Sequence, residues 1–178
     1  TQSIVDVKAD TCQNLRLIEA YDVNILSTSS ISLETPKLLQ KNEFSNLTGW
    51  TSGGIDGGTI SNSNGEYYTI SVPQAEKIVV GVTNRFDGDV TIHTDASMVK
   101  TGQEKMGIYG VACRVQPDGD GILFAIRGDG SVSIQKMNNG KLEALTEWTT
   151  SENVNAGIGS NFIEGDCLGS WYYLYVNG

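Results

Sequence analysis

GIYGVACRVQPDGDGILFAIRGDGSVSIQKMNNG, residues Gly107 to Gly140, decides the class of fold. Apolar positions alternate through Gly107–Val115 and Ile122–Arg127, and Ser131–Lys136 alternates Ser and Gln with Val132 and Ile134. Period-two alternation is the mark of a strand. Between the runs stand QPDGDG and GDG, and NNG (Asn138–Gly140) follows the last. Gly, Asp and Asn tolerate the positive φ that tight hairpin turns demand. The stretch therefore predicts three consecutive antiparallel strands and a further turn.

Outward in both directions the pattern is strand and turn. C-terminal to the meander come KLEALTEW (Lys141–Trp148), a VNAGIG loop, NFIEGDC (Asn161–Cys167) and the aromatic SWYYLYVNG (Ser170–Gly178). N-terminal to it are NEFSNLTGW (Asn42–Trp50), GGIDGGTISNSNGEYYTISV (Gly53–Val72), KIVVGVT (Lys77–Thr83) and DVTIHTDASMV (Asp89–Val99). Tyr68, Ile70 and Val72 are expected to share a face, and Val90, Ile92 and Thr94 to oppose Thr91, His93 and Asp95. About nine or ten short strands separated by turns predict an all-β, two-sheet antiparallel β-sandwich or jelly roll. Residues 1–37 differ. SIVDV (Ser3–Val7) and Leu15–Leu26 read as strands, the second alternatively as a short helix, and Ser27–Lys37 as a polar linker ending near Pro36. The expected organisation is an N-terminal extension and linker, 1–37, followed by a β-sandwich domain, 38–178.

With 178 residues and 39% hydrophobic content, the chain is long enough for one sizeable core. A net charge of −9 opposes binding to phosphate backbones, so nucleic acid is not an expected partner. No stretch approaches the roughly 20 apolar residues that span a bilayer, so no membrane insertion by this segment is expected. The three cysteines, Cys12, Cys113 and Cys167, lack CxxC spacing, and the only histidine, His93, has no neighbour at metal-ligand spacing. Two readings stand: three buried thiols, or a Cys113–Cys167 disulfide with Cys12 left over. The bridge would be worth about 4 kcal/mol in the chain-entropy model and would imply an oxidising compartment.

From Leu38 to Gly178 the chain resembles the concanavalin A-like, laminin-G-like jelly-roll domains of bacterial extracellular proteins. The resemblance is carried by Phe44, Ser45, Gly49 and Trp50, then by GEYYTISV, YGVACRV, FAIRGDGSVSIQK and CLGSWYYLYVNG in that order. It implies two stacked antiparallel sheets and an extracellular or cell-surface protein, and it supports pairing of Cys113 with Cys167. Val115 and Val132 stand where such domains more often carry an aromatic. Such domains also continue past the V-N-G turn, so this sandwich is expected to lack its final strands, with Ile18–Leu26 resembling the closing one, either as the tail of a preceding repeat or as the strand that fills the gap. The chain accordingly reads as a piece of a longer protein.

The search for chemistry turns up little that is catalytic. Glycan cleavage needs paired carboxylates about 5–10 Å apart. Asp87/Asp89 and Asp118/Asp120 sit in Gly-rich turns, where aspartates cap backbone amides. Glu164/Asp166 is the best strand-borne pair, with solvated surface charge as its ordinary reading. His93 would need partners brought from elsewhere to act as a base. No nucleophile elbow, P-loop or dinucleotide fingerprint is present, so the expectation is a non-enzyme. No cofactor is expected, with calcium as the alternative at Asp118 and Asp120, whose loop glycines let carbonyls converge.

The GDG at Gly128–Gly130 reads as a turn, and Asn46 begins an N-glycosylation pattern. Ligand contact is assigned to Trp171, Tyr173, Tyr175 and Tyr109. Alternation sets Tyr172, Leu174 and Val176 against Trp171, Tyr173 and Tyr175, and the pattern alone does not say which set faces inward. The functional expectation is an extracellular module recognising carbohydrate or a surface protein. The alternative is a structural spacer or protein-interaction domain.

Overall fold

The structure, a computed structural model, describes residues 7–10, 14–17, 44, 47–63, 65–83, 88–99 and 107–178, with backbone alone at 7–10, 14–17, 55 and 63. Cys12, Ile18–Leu26, Ser27–Lys37, Asn46 and Asp87 lie outside the described residues. The chain divides into two compact units, Thr1–Lys41 and Asn42–Gly178. The first holds β1 (Val7–Asp10) and β2 (Asn14–Leu17), paired antiparallel with Val7 opposite Leu17.

The second unit contains β3 (Gly53–Ile55), β4 (Gly58–Ser63), β5 (Tyr67–Ser71), β6 (Val90–Ala96), β7 (Ile108–Cys113), β8 (Gly121–Arg127) and β9 (Ser131–Asn138). It continues with β10 (Lys141–Ala144), β11 (Thr149–Thr150), β12 (Asn161–Leu168) and β13 (Trp171–Val176). No helix occurs among the described residues. The strands form three antiparallel sheets: β10-β9-β8-β7 with β11 also on β9, β13-β12-β6, and β3-β4-β5.

The predicted meander is β7, β8 and β9, in register from Cys113 opposite Ile122 to Ile126 opposite Val132. Its turns use the chemistry read from the sequence. Asn139 (φ 50) and Gly140 (φ 72) both take positive φ, the requirement of a two-residue turn that matches strand twist. Lys141 then pairs with Asn138, and β10 runs back along β9.

One apolar cluster takes residues from two sheets: Val111, Cys113, Ile122, Phe124 and Ile126 from the larger, Ile163 and Cys167 from β12, and Val154 from a loop. Phe124 is completely buried, and a Cβ placed on Gly165 of β12 would overlap its ring. Gly165 is thus needed for space, because only a residue without a side chain lets β12 approach Phe124 this closely. A disulfide joins Cys113 of β7 to Cys167 of β12 beside this contact, fastening one sheet to the other.

One expectation is corrected. Lys77–Thr83 forms no strand; its sole ladder contact is a bridge between Thr83 and Trp50. The Thr51 hydroxyl accepts from the Val82 amide at 3.2 Å, and the Val82 carbonyl accepts from the Thr51 amide at 2.9 Å, so a single residue 31 positions away satisfies this backbone in place of a continuous ladder. On β9 the alternation is as read, but Ser131, Ser133 and Gln135, the polar set, are buried at 3%, 2% and 3% exposure. Each has partners. Ser131 bonds Asp129 through its amide and its hydroxyl, and Ser133 Oγ donates to the Thr146 carbonyl at 2.6 Å and accepts from Gln135 Nε2 at 2.6 Å. A buried hydroxyl or amide is tolerated when bonded in this way.

Candidate functional site

The orientation of β13 follows from the core. Tyr172, Leu174 and Val176 pack against the apolar cluster. Trp171 and Tyr173 therefore turn outward, exposed at 68% and 43%, with Tyr175 on the same face and half-buried. Antiparallel registry places β12 residues directly beside them: Leu168 opposite Trp171, Asp166 opposite Tyr173 and Glu164 opposite Tyr175. Beyond β12, β6 sets Thr91 beside Asp166, His93 beside Glu164 and Asp95 beside Phe162. The outward face of this sheet is consequently a row of rings on β13, a row of carboxylates on β12, and Thr91, His93 and Asp95 on β6.

Two contacts join side chains within the face. The Thr91 hydroxyl donates to Asp166 Oδ1 at 2.6 Å, and the His93 and Phe162 rings lie 5.5 Å apart. His93, which from sequence needed a partner brought from elsewhere, thus stands across from Glu164, a neighbour 71 positions away in the chain that only strand registry supplies. The carboxylate pair Glu164/Asp166 shares this open face, about 7 Å apart along the strand by strand geometry.

The row is anchored at both ends. At the β12–β13 hairpin, Asp89 Oδ1 accepts from the Gly169 amide at 2.9 Å and pairs with Arg114 at 3.1 Å. Arg114 also donates to the Gly88 carbonyl and to the Tyr172 hydroxyl. At the other end Asn177 Oδ1 accepts from the Phe162 amide at 2.9 Å, and Asn177 Nδ2 donates to Asn161 Oδ1 at 2.8 Å. Fully buried Asn161 also accepts from the Asn155 amide and donates to the Asn155 carbonyl and the Tyr109 hydroxyl. Rings held on a strand whose ends are fixed lose little freedom on meeting a ligand.

A second feature adjoins the row. An open cleft of about 320 Å³ runs along β13 and is lined by Tyr172–Tyr175, by Val132–Ile134 of β9, and by Thr146, Glu147 and Thr149. It owes its rim to a bulge between β10 and β11. Leu145 and Thr146 both donate their amides to the Ile134 carbonyl, and the Thr146 hydroxyl accepts from the Ile134 amide at 2.9 Å. Bulges of this kind bend a strand away from its neighbour. Among the described residues, no strand pairs with β13 on the side away from β12.

The remaining candidates sit elsewhere. Tyr109 packs against the core and its hydroxyl accepts from Asn161 at 2.8 Å, so it does not join the exposed row; burial raises its pKa above 10.0, and the Asn161 bond opposes this. Asp118 Oδ1 accepts from the Asp120 amide at 3.1 Å, and Asp120 Oδ1 accepts from the Asn139 amide at 2.8 Å. Both carboxylates therefore tie turns together, and no group of three or more His, Cys, Asp or Glu side chains suited to a metal occurs among the described residues. Asp129, in the GDG turn, is held down to about 2 by hydrogen bonds from Ser131 and by Arg127.

The sequence reading missed Thr91 as partner of Asp166 and missed the cleft residues on β9 and 146–149. Both depend on long-range registry, and only the Glu-Trp-Thr-Thr run at the bulge could have hinted at an irregular edge.

Comparison with protein-family models, with curated proteins and with solved structures finds no match. The class established is an all-β protein of antiparallel sheets with one disulfide, which points to an oxidising compartment.

Proposed function

We propose that this protein is a non-catalytic, extracellular binding module, built on a two-sheet β-sandwich of the concanavalin A-like type, that recognises carbohydrate on the outward face of β6-β12-β13. The observation that carries this reading is the exposure of Trp171 and Tyr173 in a row with carboxylates alongside. Sugar rings stack their apolar faces on aromatic side chains, while their hydroxyls bond to neighbouring carboxylates. Asp166 and Thr91 lie where such bonds would form. The open setting of Glu164 and Asp166, on a sheet face instead of within a water-excluding cleft, supports binding over hydrolysis.

The test is a glycan-array screen of the intact chain, run with calcium and again with EDTA, beside a Trp171→Ala, Tyr173→Ala variant. Reproducible hits lost in the variant are expected. Hits that vanish in EDTA would show that binding needs a divalent cation, with the Asp118/Asp120 loop the first place to look. A blank array from folded protein would defeat the carbohydrate reading.

One observation favours a second reading, a protein-interaction domain. The side of β13 away from β12 is uncharged, carries no Pro, and borders a cleft of mixed apolar and polar lining, which is the arrangement an extended peptide uses when it adds a strand to a sheet. Protection of the Leu174 and Val176 amides from hydrogen exchange by a protein partner, with no glycan binding, would select it.

A further inference from the structure

We infer that the aromatic face selects glycans whose sugars carry protonated amino groups over neutral glycans of the same length. The inference rests on the carbohydrate reading and names the ligand class of that same face.

The charges that the three strands themselves bring to the face are one-sided. Its three strands contribute Asp95, Glu164 and Asp166, and no Lys or Arg occurs in β6, β12 or β13. Arg114, the guanidinium at the hairpin end, is committed to Asp89, Gly88 and the Tyr172 hydroxyl. Among the described residues of these three strands, His93 is the one basic side chain.

The placement of ring and carboxylate then matters. Asp166 stands directly across from Tyr173, at the roughly 5 Å Cα spacing of antiparallel neighbours. Asp166 spends Oδ1 on the Thr91 hydroxyl, and Oδ2 has no hydrogen-bond partner among the described residues. An ammonium group lodged between them gains the attraction of the ring face and of the carboxylate together. A neutral sugar in the same place desolvates the carboxylate and returns only hydroxyl bonds. The chain's net charge of −9 adds attraction at longer range. Because the outer pairs are solvated, each gain is modest, and the combined preference is about tenfold.

The experiment is calorimetric titration of the intact chain with three oligosaccharides of equal length: β-1,4-linked glucosamine, its N-acetylated form, and β-1,4-linked glucose. Oligolysine of matched charge serves as the control. The expected result is glucosamine binding about tenfold tighter than either neutral oligomer, a gap that narrows at high salt. Asp166→Asn should weaken glucosamine more than either neutral oligomer and so close the gap, and Trp171→Ala should weaken all three. Should Asp166→Asn lower the melting temperature, Asp95→Asn, at an exposed position, reads the same gap and should reduce it.

Neutral oligomers binding as well as glucosamine would overturn the inference and leave the carbohydrate reading standing. Oligolysine binding as tightly as glucosamine would also overturn it, by showing charge without sugar recognition. No binding by any oligosaccharide would remove both the inference and the reading beneath it.

Discussion

Along β9, Ser131, Ser133 and Gln135 are almost wholly buried, whereas along β13 Trp171 and Tyr173 stand 68% and 43% exposed. Both sets point away from the core shared by the two sheets, and their chemistry is the reverse of what burial alone would sort. The polar set is buried because partners wait for it: Thr146, Asp129 and the set's own members accept and donate. The aromatic set is left in water, although burying such a ring typically contributes about 1.5–3 kcal/mol. A polar residue inside with its bonds made is a structural solution. A large ring left in water, as at Trp171, contributes less to the fold than a buried one would.

That contrast can be broken or sharpened by substitution. The largest effect is expected beneath both faces: replacing Cys113 and Cys167 by Ala should cost about 4 kcal/mol, read as a lowered denaturant midpoint, since the bridge closes a loop of 54 residues. Asn161→Ala comes next, at about 2–4 kcal/mol, because it strands the Asn155 amide and carbonyl and loosens Asn177 at the end of β13. A variant melting like the parent would show that the Asn161 cluster does not hold the row. Ser133→Ala should cost about 1–2 kcal/mol by leaving Gln135 Nε2 without its acceptor, measured by thermal unfolding.

On the exposed side, Trp171→Ala should change stability by less than about 0.5 kcal/mol while weakening ligand binding. A loss of several kcal/mol there would mean the ring is structural and would collapse the contrast. The smallest effect concerns acid. Asp129 has its pKa lowered from 3.8 to about 2, so its contribution is present at neutral pH and lost as pH falls from about 4 towards 2. Asp129→Asn should flatten that segment of the stability–pH curve.

How much of this the sequence discloses depends on the range of the interaction involved. Turn chemistry is local, so QPDGDG, GDG and NNG located β7 to β10, and alternation in Val90–Ala96 gave both faces of β6. Alternation in Trp171–Val176 separated two sets of residues but could not orient them, because the direction of the core is set by Phe124 and Ile163 from other strands. The Lys77–Thr83 run looked like a strand by composition, yet pairing there is decided by Thr51 across a gap of 31 positions. The neighbours Asp166–Thr91 and Glu164–His93 are likewise products of registry between distant segments.

The bridge between Cys113 and Cys167 has a mechanical consequence. A pull on the two termini travels along β7, crosses the sulfur–sulfur bond and leaves from Cys167 into β13, so β8 to β11 and nearly all of β12 sit in a loop that carries no load. Fully stretched, the oxidised chain is shorter than the reduced one by the contour of those 54 residues, about 190 Å at roughly 3.5 Å each. Held between two anchor points, the oxidised module is a short tether with a hard stop, and reduction of one bond would turn it into a long, compliant one.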